Sequence, residues 1–211
     1  MLFEYSTPID SSTPTLSIAA LRDKEAQSLG RGLPLMQRAG QAAAEWAVHI
    51  CAPPGQVLAL VGPGNNGGDA LVAARLLLSI GLHVTVVMPL VAEQSPADAL
   101  QALADWQALG QPTFTTLPEQ KPDMVIDGLF GIGLSRPLAE PFQRLIDAVN
   151  TWQTNVLALD LASGVDAETG SALGRPINAT QTIAFIAPCH AFQAPCAQPF
   201  LGQCRVASLN I

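Results

Sequence analysis

Three aspartates stand beside turn-forming glycines where apolar runs end. Asp69 closes the loop GPGNNGGDA, Asp127 precedes GLFGIGLSRPL, and Asp160 precedes LASGVDAETG. Carboxylates gathered in one place repel each other unless a cation, a shared proton or a basic side chain intervenes. Arg136 is the base nearest to them in the sequence. Strands run into two of these acids, Met124 to Ile126 before Asp127 and Val156 to Leu159 before Asp160. Both should therefore lie at the carboxyl edge of a sheet, where open α/β folds bind ligands, and Asp69 should join them in one crevice. Turn capping in water accounts for any one of these acids about equally well, but much less well for all three beside glycine-rich loops.

The loop before Asp69 has the outline of a nucleotide site. Val57 to Val61 reads as a strand buried on both faces, and the glycines after it permit a tight turn into an amphipathic helix beginning near Gly68. The N-terminus of such a helix favours phosphate or another anion. Gly62, Gly64 and Gly67 satisfy the G-x-G-x-x-G dinucleotide fingerprint, which also expects an acid about 20 residues further on to hold the ribose. That neighbourhood is Val86-Val87-Met88-Pro89-Leu90, and the first acid after it is Glu93. A Walker phosphate loop would end in Lys and Ser or Thr, where this chain has Asp69 and Ala70. The loop thus offers amides and a carboxylate, which neither motif explains. Mere connection of strand to helix needs no consecutive Asn65 and Asn66 and no Asp at the helix start.

The elements that must position these residues alternate strand and helix. Strands are expected at Gln56 to Val61, His83 to Met88, Met124 to Asp127, Asn155 to Asp160, Gln181 to Ile186 and Cys204 to Leu209. Helices are expected at Ser17 to Gly30, Pro34 to Ile50, near Asp69 to Ile80, Ser95 to Leu109 and Ala139 to Asn150, the first preceded by a Ser/Thr/Pro-rich arm. The first two helices should pack onto the sheet edge. Pro195 and Pro199 mark a loop before the last strand. The pattern predicts an α/β fold, a Rossmann-like three-layer αβα sandwich with a mostly parallel doubly wound sheet, over one domain spanning residues 1–211.

Four ordered motifs resemble the NAD(P)HX epimerases, the family of the YjeF N-terminal-type domain. Leu35 to Gly40 is similar to its LMERAG segment, GPGNNGGDA to GxGNNGGDG, Asp127 to Arg136 to D-x-x-x-G-x-G-x-x-R, and Asp160 to Gly164 to D-[IL]-P-S-G. The likeness runs from about Leu16 to the end of the chain. It implies an isomerase of nicotinamide-cofactor repair, which interconverts the R and S hydrates of NADH and NADPH at C6 so that a dehydratase can restore the S form. By the same resemblance, Asn65, Asn66, Gly67, Gly68 and Asp69 bind the hydrated dinucleotide, with Gly131, Ile132, Gly133, Leu134, Ser135, Arg136 and Pro137 as a second strip. It further implies a potassium ion on Asn66, Asp127 and Ser163, and places Asp160 at the substrate. An amide oxygen, a hydroxyl and one carboxylate are hard oxygen ligands of low total charge, a set unsuited to zinc and too weakly charged for a dedicated calcium site. Asp160 is the candidate catalytic acid–base.

The chain departs from the family pattern at several positions. Ala70 replaces a Gly, Ala162 the Pro of the P-S-G turn, Gln37 a Glu, Thr180 the Asp of an A-D-x-T-x-x-F strand, and Cys189 the Lys of a P-K segment. Relatives are commonly dimers, and the resemblance implies a homodimer coupled to an ADP- or ATP-dependent dehydratase, fused or separate. Two other classes fit less well: a non-catalytic nucleotide-binding or scaffold member, and a nicotinamide-dependent oxidoreductase lacking its ribose acid.

Composition narrows the partners. A formal charge of −7 over 211 residues argues against a nucleic-acid groove or an anionic membrane. The first thirty residues contain acids and lack an apolar core, so no signal peptide is expected, and a cytoplasmic location follows. Leu76 to Ala92 is apolar but broken by Gly81, His83 and Pro89. Cys51, Cys189, Cys196 and Cys204 show no C-x-x-C spacing and read as free thiols, while His49, His83 and His190 are scattered.

Overall fold

A computed structural model of the chain describes residues 6–90 and 95–211. Glu93 and the end of the Leu76 to Ala92 stretch fall outside the described residues. An eight-stranded sheet forms the middle layer. Its strands in chain order are β1 (Ser6–Pro8), β2 (Gln56–Val61), β3 (His83–Val87), β4 (Thr113–Phe114), β5 (Met124–Gly128), β6 (Asn155–Leu159), β7 (Gln181–Phe185) and β8 (Gln203–Ala207). In space they run β1-β8-β7-β6-β5-β2-β3-β4, all parallel except the β1–β8 pair. From β2 the chain winds outward through β3 to β4, then returns to β5 and winds the other way. The switch point therefore falls between β2 and β5, where the loops leaving their carboxyl ends diverge and open a crevice.

Alternation along β2 shows how the two faces are built. Val57, Ala59 and Val61 face one core with Ile126, Leu157 and Leu159, whereas Leu58 and Leu60 face the other with Val125, Val156 and Ala158. Helices α2 (Leu35–Ile50), α3 (Asn65–Ser79) and α4 (Ala97–Ala108) supply the first core, and α5 (Phe142–Thr151) supplies the second. Helix α1 (Ile18–Gly30) begins at Ser17, whose hydroxyl accepts the Ala20 N–H at 3.2 Å. Among the described residues no helix is long and apolar enough to cross a membrane.

Several expectations need correction. The expected arm contributes the antiparallel edge strand β1, and Thr113–Phe114 adds the opposite edge, both too short to show periodicity. Helix α2 lies on the sheet face rather than its edge, because its small residues Ala39, Ala43 and Ala47 let it pack closely over α3 and β6. The stretch around Pro195 and Pro199, expected as loop, winds into a 3₁₀ turn at His190–Gln193 and the short helix α6 (Gln198–Leu201). Helix α3 starts at Asn65, not near Gly68, since Gly64 serves as its N-cap and already accepts the N–H groups of Gly67 and Gly68.

Candidate functional site

Asp160 follows the last residue of β6 with a left-handed backbone, φ 65°, a conformation that Asp tolerates better than most residues. Its main-chain N–H donates to the Ile183 carbonyl at 2.8 Å, and its Oδ2 accepts the Ile132 N–H at 2.8 Å. A Cβ at Gly131 would lie 2.2 Å from that same oxygen, so glycine there is what lets the loop close on the carboxylate. Burial pushes the Asp160 carboxyl up to about 6; the Ile132 N–H pulls it down in part, and Glu25 pushes it up again.

Asp127, at the end of β5, sits against Leu60 of β2 in register and is fully buried. Its Oδ1 accepts the Ser163 hydroxyl at 2.7 Å and the Leu129 N–H at 3.2 Å, while Oδ2 accepts the Ser163 N–H at 2.9 Å. Ser163 Oγ also accepts the Phe130 N–H at 2.9 Å. These bonds brace the loop after β5 against the loop after β6, and so fix the relative position of Ile132 and Asp160. Burial raises the Asp127 carboxyl to about 6 despite the lowering effect of Ser163 and Leu129.

The crevice is a cleft of about 580 Å³ at the switch point, within the range of small-molecule sites. Asp69 and Asp160 line it together with Asn65, Asn66 and the run Gly131 to Leu134. Asp69, just past the first turn of α3, is 9% exposed, and its carboxyl is held well above the usual carboxylate range by burial, then by Asp160 and by Glu25. Asn66 is buried to the same degree, and neither its amide oxygen nor its nitrogen has a hydrogen-bond partner.

Two of the three expected aspartates thus meet at the cleft. Asp127 does not line it, because Ser163 and Leu129 hold it behind the loop; the other carboxyls there are Glu25 of α1 and Asp98 of α4. Nor is Arg136 the neighbouring base, since it is exposed outside the cleft and Arg22 lines it instead. Gly67 and Gly68 face inward rather than toward the cleft: a Cβ on Gly67 would meet the Gly62 carbonyl at 2.0 Å, and one on Gly68 the Met36 side chain. Ser135, Arg136 and Pro137 stand exposed beyond it, after the turn closed by the Leu134 N–H on the Gly131 carbonyl at 3.2 Å. Of the expected metal set, Asp127 and Ser163 are bonded to each other, and the Asn66 main-chain oxygen lies 3.0 Å from the position a Cβ on Gly128 would take.

Glu25 and Arg22 were not singled out by motif reasoning. Their i, i+3 spacing on a predicted helix, next to the apolar positions Leu21 and Leu29, is the signal that could have found them. Two of the departures, Thr180 and Cys189, have a defined local setting. Thr180 Oγ1 accepts the Val156 N–H and reaches the Val156 carbonyl, each at 3.0 Å, tying β7 to β6. Cys189 is buried away from the cleft lining, its thiol pushed up to about 12 by burial and by Asp160.

Comparison with known proteins fits this geometry. The family described as YjeF-related protein N-terminus matches residues 32–191. The chain is 51% identical over 86% of its length to a protein of Achromobacter xylosoxidans (strain A8) named NAD(P)H-hydrate epimerase, of which it covers 88%. A protein of the same name from Bordetella bronchiseptica is 50% identical over 86% of this chain and 81% of its own. A Leishmania braziliensis protein named bifunctional NAD(P)H-hydrate repair enzyme is 36% identical over 92% of this chain, which covers 36% of it. In fold, the crystal structure of yeast ynu0 has a TM-score of 0.75 at 22% identity, covering 85% of this chain and 83% of that one.

Proposed function

The chain belongs to the YjeF-related protein N-terminus family, and from that premise we propose that it is an NAD(P)H-hydrate epimerase, an isomerase acting on the C6 hydrates of NADH and NADPH. The observation that carries the reading is Asp160, a carboxyl with a single side-chain hydrogen bond, raised to about 6 and facing a cleft of about 580 Å³.

The substrate supplies most of the reactivity. C6 of the hydrate bears a hydroxyl next to the ring nitrogen, whose lone pair expels it once protonated and leaves a planar iminium cation. Water returning to the other face gives the opposite epimer. Asp160 is the acid–base for this exchange, and a cleft rich in carboxyls stabilises the cation between the two steps. The N-terminus of α3, at Asn65 and Asn66, faces the pyrophosphate, and Gly131 to Leu134 lies along the dinucleotide.

The reading includes a potassium ion held by Asn66, Asp127 and Ser163. An orphaned buried amide at Asn66 and oxygen-only ligands of low charge fit such an ion, which would supply fixed positive charge beside the phosphates. It also includes one domain over residues 1–211, a homodimer, a cytoplasmic location, and action ahead of a nucleotide-dependent dehydratase. The bifunctional relatives support that last coupling. Incubating the purified protein with the R hydrate of NADH and following both epimers by NMR tests the activity. Conversion well above the rate in buffer is expected; no acceleration would favour a non-catalytic member of the family.

A further inference from the structure

Exchange at C6 removes a hydroxyl from one face of a ring and returns one to the other. A carboxyl that protonates the departing oxygen on the first face is badly placed to deprotonate water arriving at the second. Taking the chain as an epimerase, we propose that Asp69 is a second catalytic acid–base, which works with Asp160 as a carboxyl pair sharing one proton, each serving one face of the ring.

Asp69 and Asp160 reach the cleft from different elements, the N-terminal part of α3 and the end of β6. Asp160 is tethered by Ile132, whereas the Asp69 carboxyl has no hydrogen bond or ion pair among the described residues, although the residue is only 9% exposed. Unlike the Asn66 amide atoms, its oxygens are not sealed off by protein, so water or a ligand in the cleft can reach them. Asn66, three residues earlier on the same helix face, is likewise buried, unpaired and part of the cleft wall, so this end of the cleft is built for a polar ligand. Among the described residues, the other charged groups of the wall are Glu25 and Arg22 from α1 and Asp98 from α4, with no Lys or His. Burial, Asp160 and Glu25 all hold the proton on Asp69, while the Ile132 N–H favours ionised Asp160. Of the two carboxyls, Asp69 therefore holds its proton more tightly, and the pair passes through a state with one proton, carried on Asp69.

In one direction, Asp69 donates that proton to the hydroxyl, the C6–O bond breaks as the nitrogen lone pair forms C=N⁺, and water departs. A second water then adds to C6 from the opposite face, returning the electron pair to nitrogen, and its proton passes to the Asp160 carboxylate. The proton now sits on Asp160. The reverse reaction starts from that state, and transfer back to Asp69 resets the forward one.

The test is kcat and KM for Asp69→Asn in both directions, R to S and S to R, from about pH 5 to 9, with NADH-induced thermal shift reporting binding. A fall in kcat of roughly 100-fold or more both ways, with the thermal shift retained, is expected. In the wild type, kcat should fall as pH drops through about 6, where Asp160 gains its proton, and fall again at higher pH as Asp69 loses its own. The variant should lose the high-pH limb. A kcat within about threefold of wild type, or a raised KM at unchanged kcat, would show that Asp69 only binds and overturn the pair. Should the variant not fold, the wild-type profile decides, because a kcat flat on the high-pH side excludes a protonated partner. A wild type that does not accelerate epimerisation overturns the epimerase reading itself, which separates that failure from the failure of the pair.

Discussion

Asp127 and Asp160 end adjacent parallel strands, and burial raises both carboxyls to about 6, yet their surroundings differ. Asp127 receives the hydroxyl and N–H of Ser163 and the N–H of Leu129, and none of its surface reaches the cleft. Asp160 receives one N–H and keeps the rest of its carboxylate toward the cleft. A raised pKa by itself therefore does not separate the two; unspent hydrogen-bonding capacity in a cavity does. One acid fixes the loops, and the other stands free at the cleft they define.

The sharpest way to break this contrast is to remove the brace. Asp127→Ala strands the buried N–H of Ser163 and of Leu129, so urea unfolding should show a loss of about 3 kcal/mol. A loss below about 1 kcal/mol would mean that the brace is not structural. Gly131→Ala tests the other side: the added Cβ overlaps Asp160 Oδ2, and turnover should drop about tenfold, near 1.4 kcal/mol of barrier, with little change in melting. Unchanged turnover would show that the carboxylate need not be held so closely.

A smaller effect concerns the ion. At potassium tenfold above its Kd, wild type should be stabilised by about 1.4 kcal/mol relative to choline buffer, and Asn66→Ala should lose most of that difference. Equal potassium responses would remove Asn66 from the ion site. A further effect is on pH. The folded carboxyls of Asp127 and Asp160 keep protons that the unfolded chain releases from its ordinary value of 3.8 upward. Stability from these groups is therefore highest at the acid side, falls as pH rises toward about 6 and then levels. Asp160→Asn should show a shallower fall, read from melting temperatures across that window; an identical slope would contradict the raised carboxyl.

The sequence carried the scaffold well because its signals are local. Buried strands such as Val57 to Val61 are continuous apolar runs, and the strand-end acids and glycine loops mark the carboxyl edge where the cleft forms. Asp69 and Asp160 were legible for that reason. Whether an acid at that edge turns inward or outward was not, because it depends on partners distant in the chain, as with Asp127 and Ser163, 36 residues apart. Glu25 and Arg22 escaped motif reasoning because α1 reaches the cleft only through tertiary packing. The glycines were read by type but not by role: Gly67 serves close approach to Gly62, and Gly131 serves Asp160.

The most direct test of the account is the epimerisation rate of Asp160→Asn beside wild type, with the R hydrate of NADH as substrate and both epimers followed by NMR. This substitution keeps the shape of the side chain and removes its proton exchange. A loss of roughly 100-fold or more, with NADH still raising the melting temperature, is the expected result. Conversion at a near-normal rate would contradict the account, because the ring nitrogen and solvent would then suffice without this carboxylate.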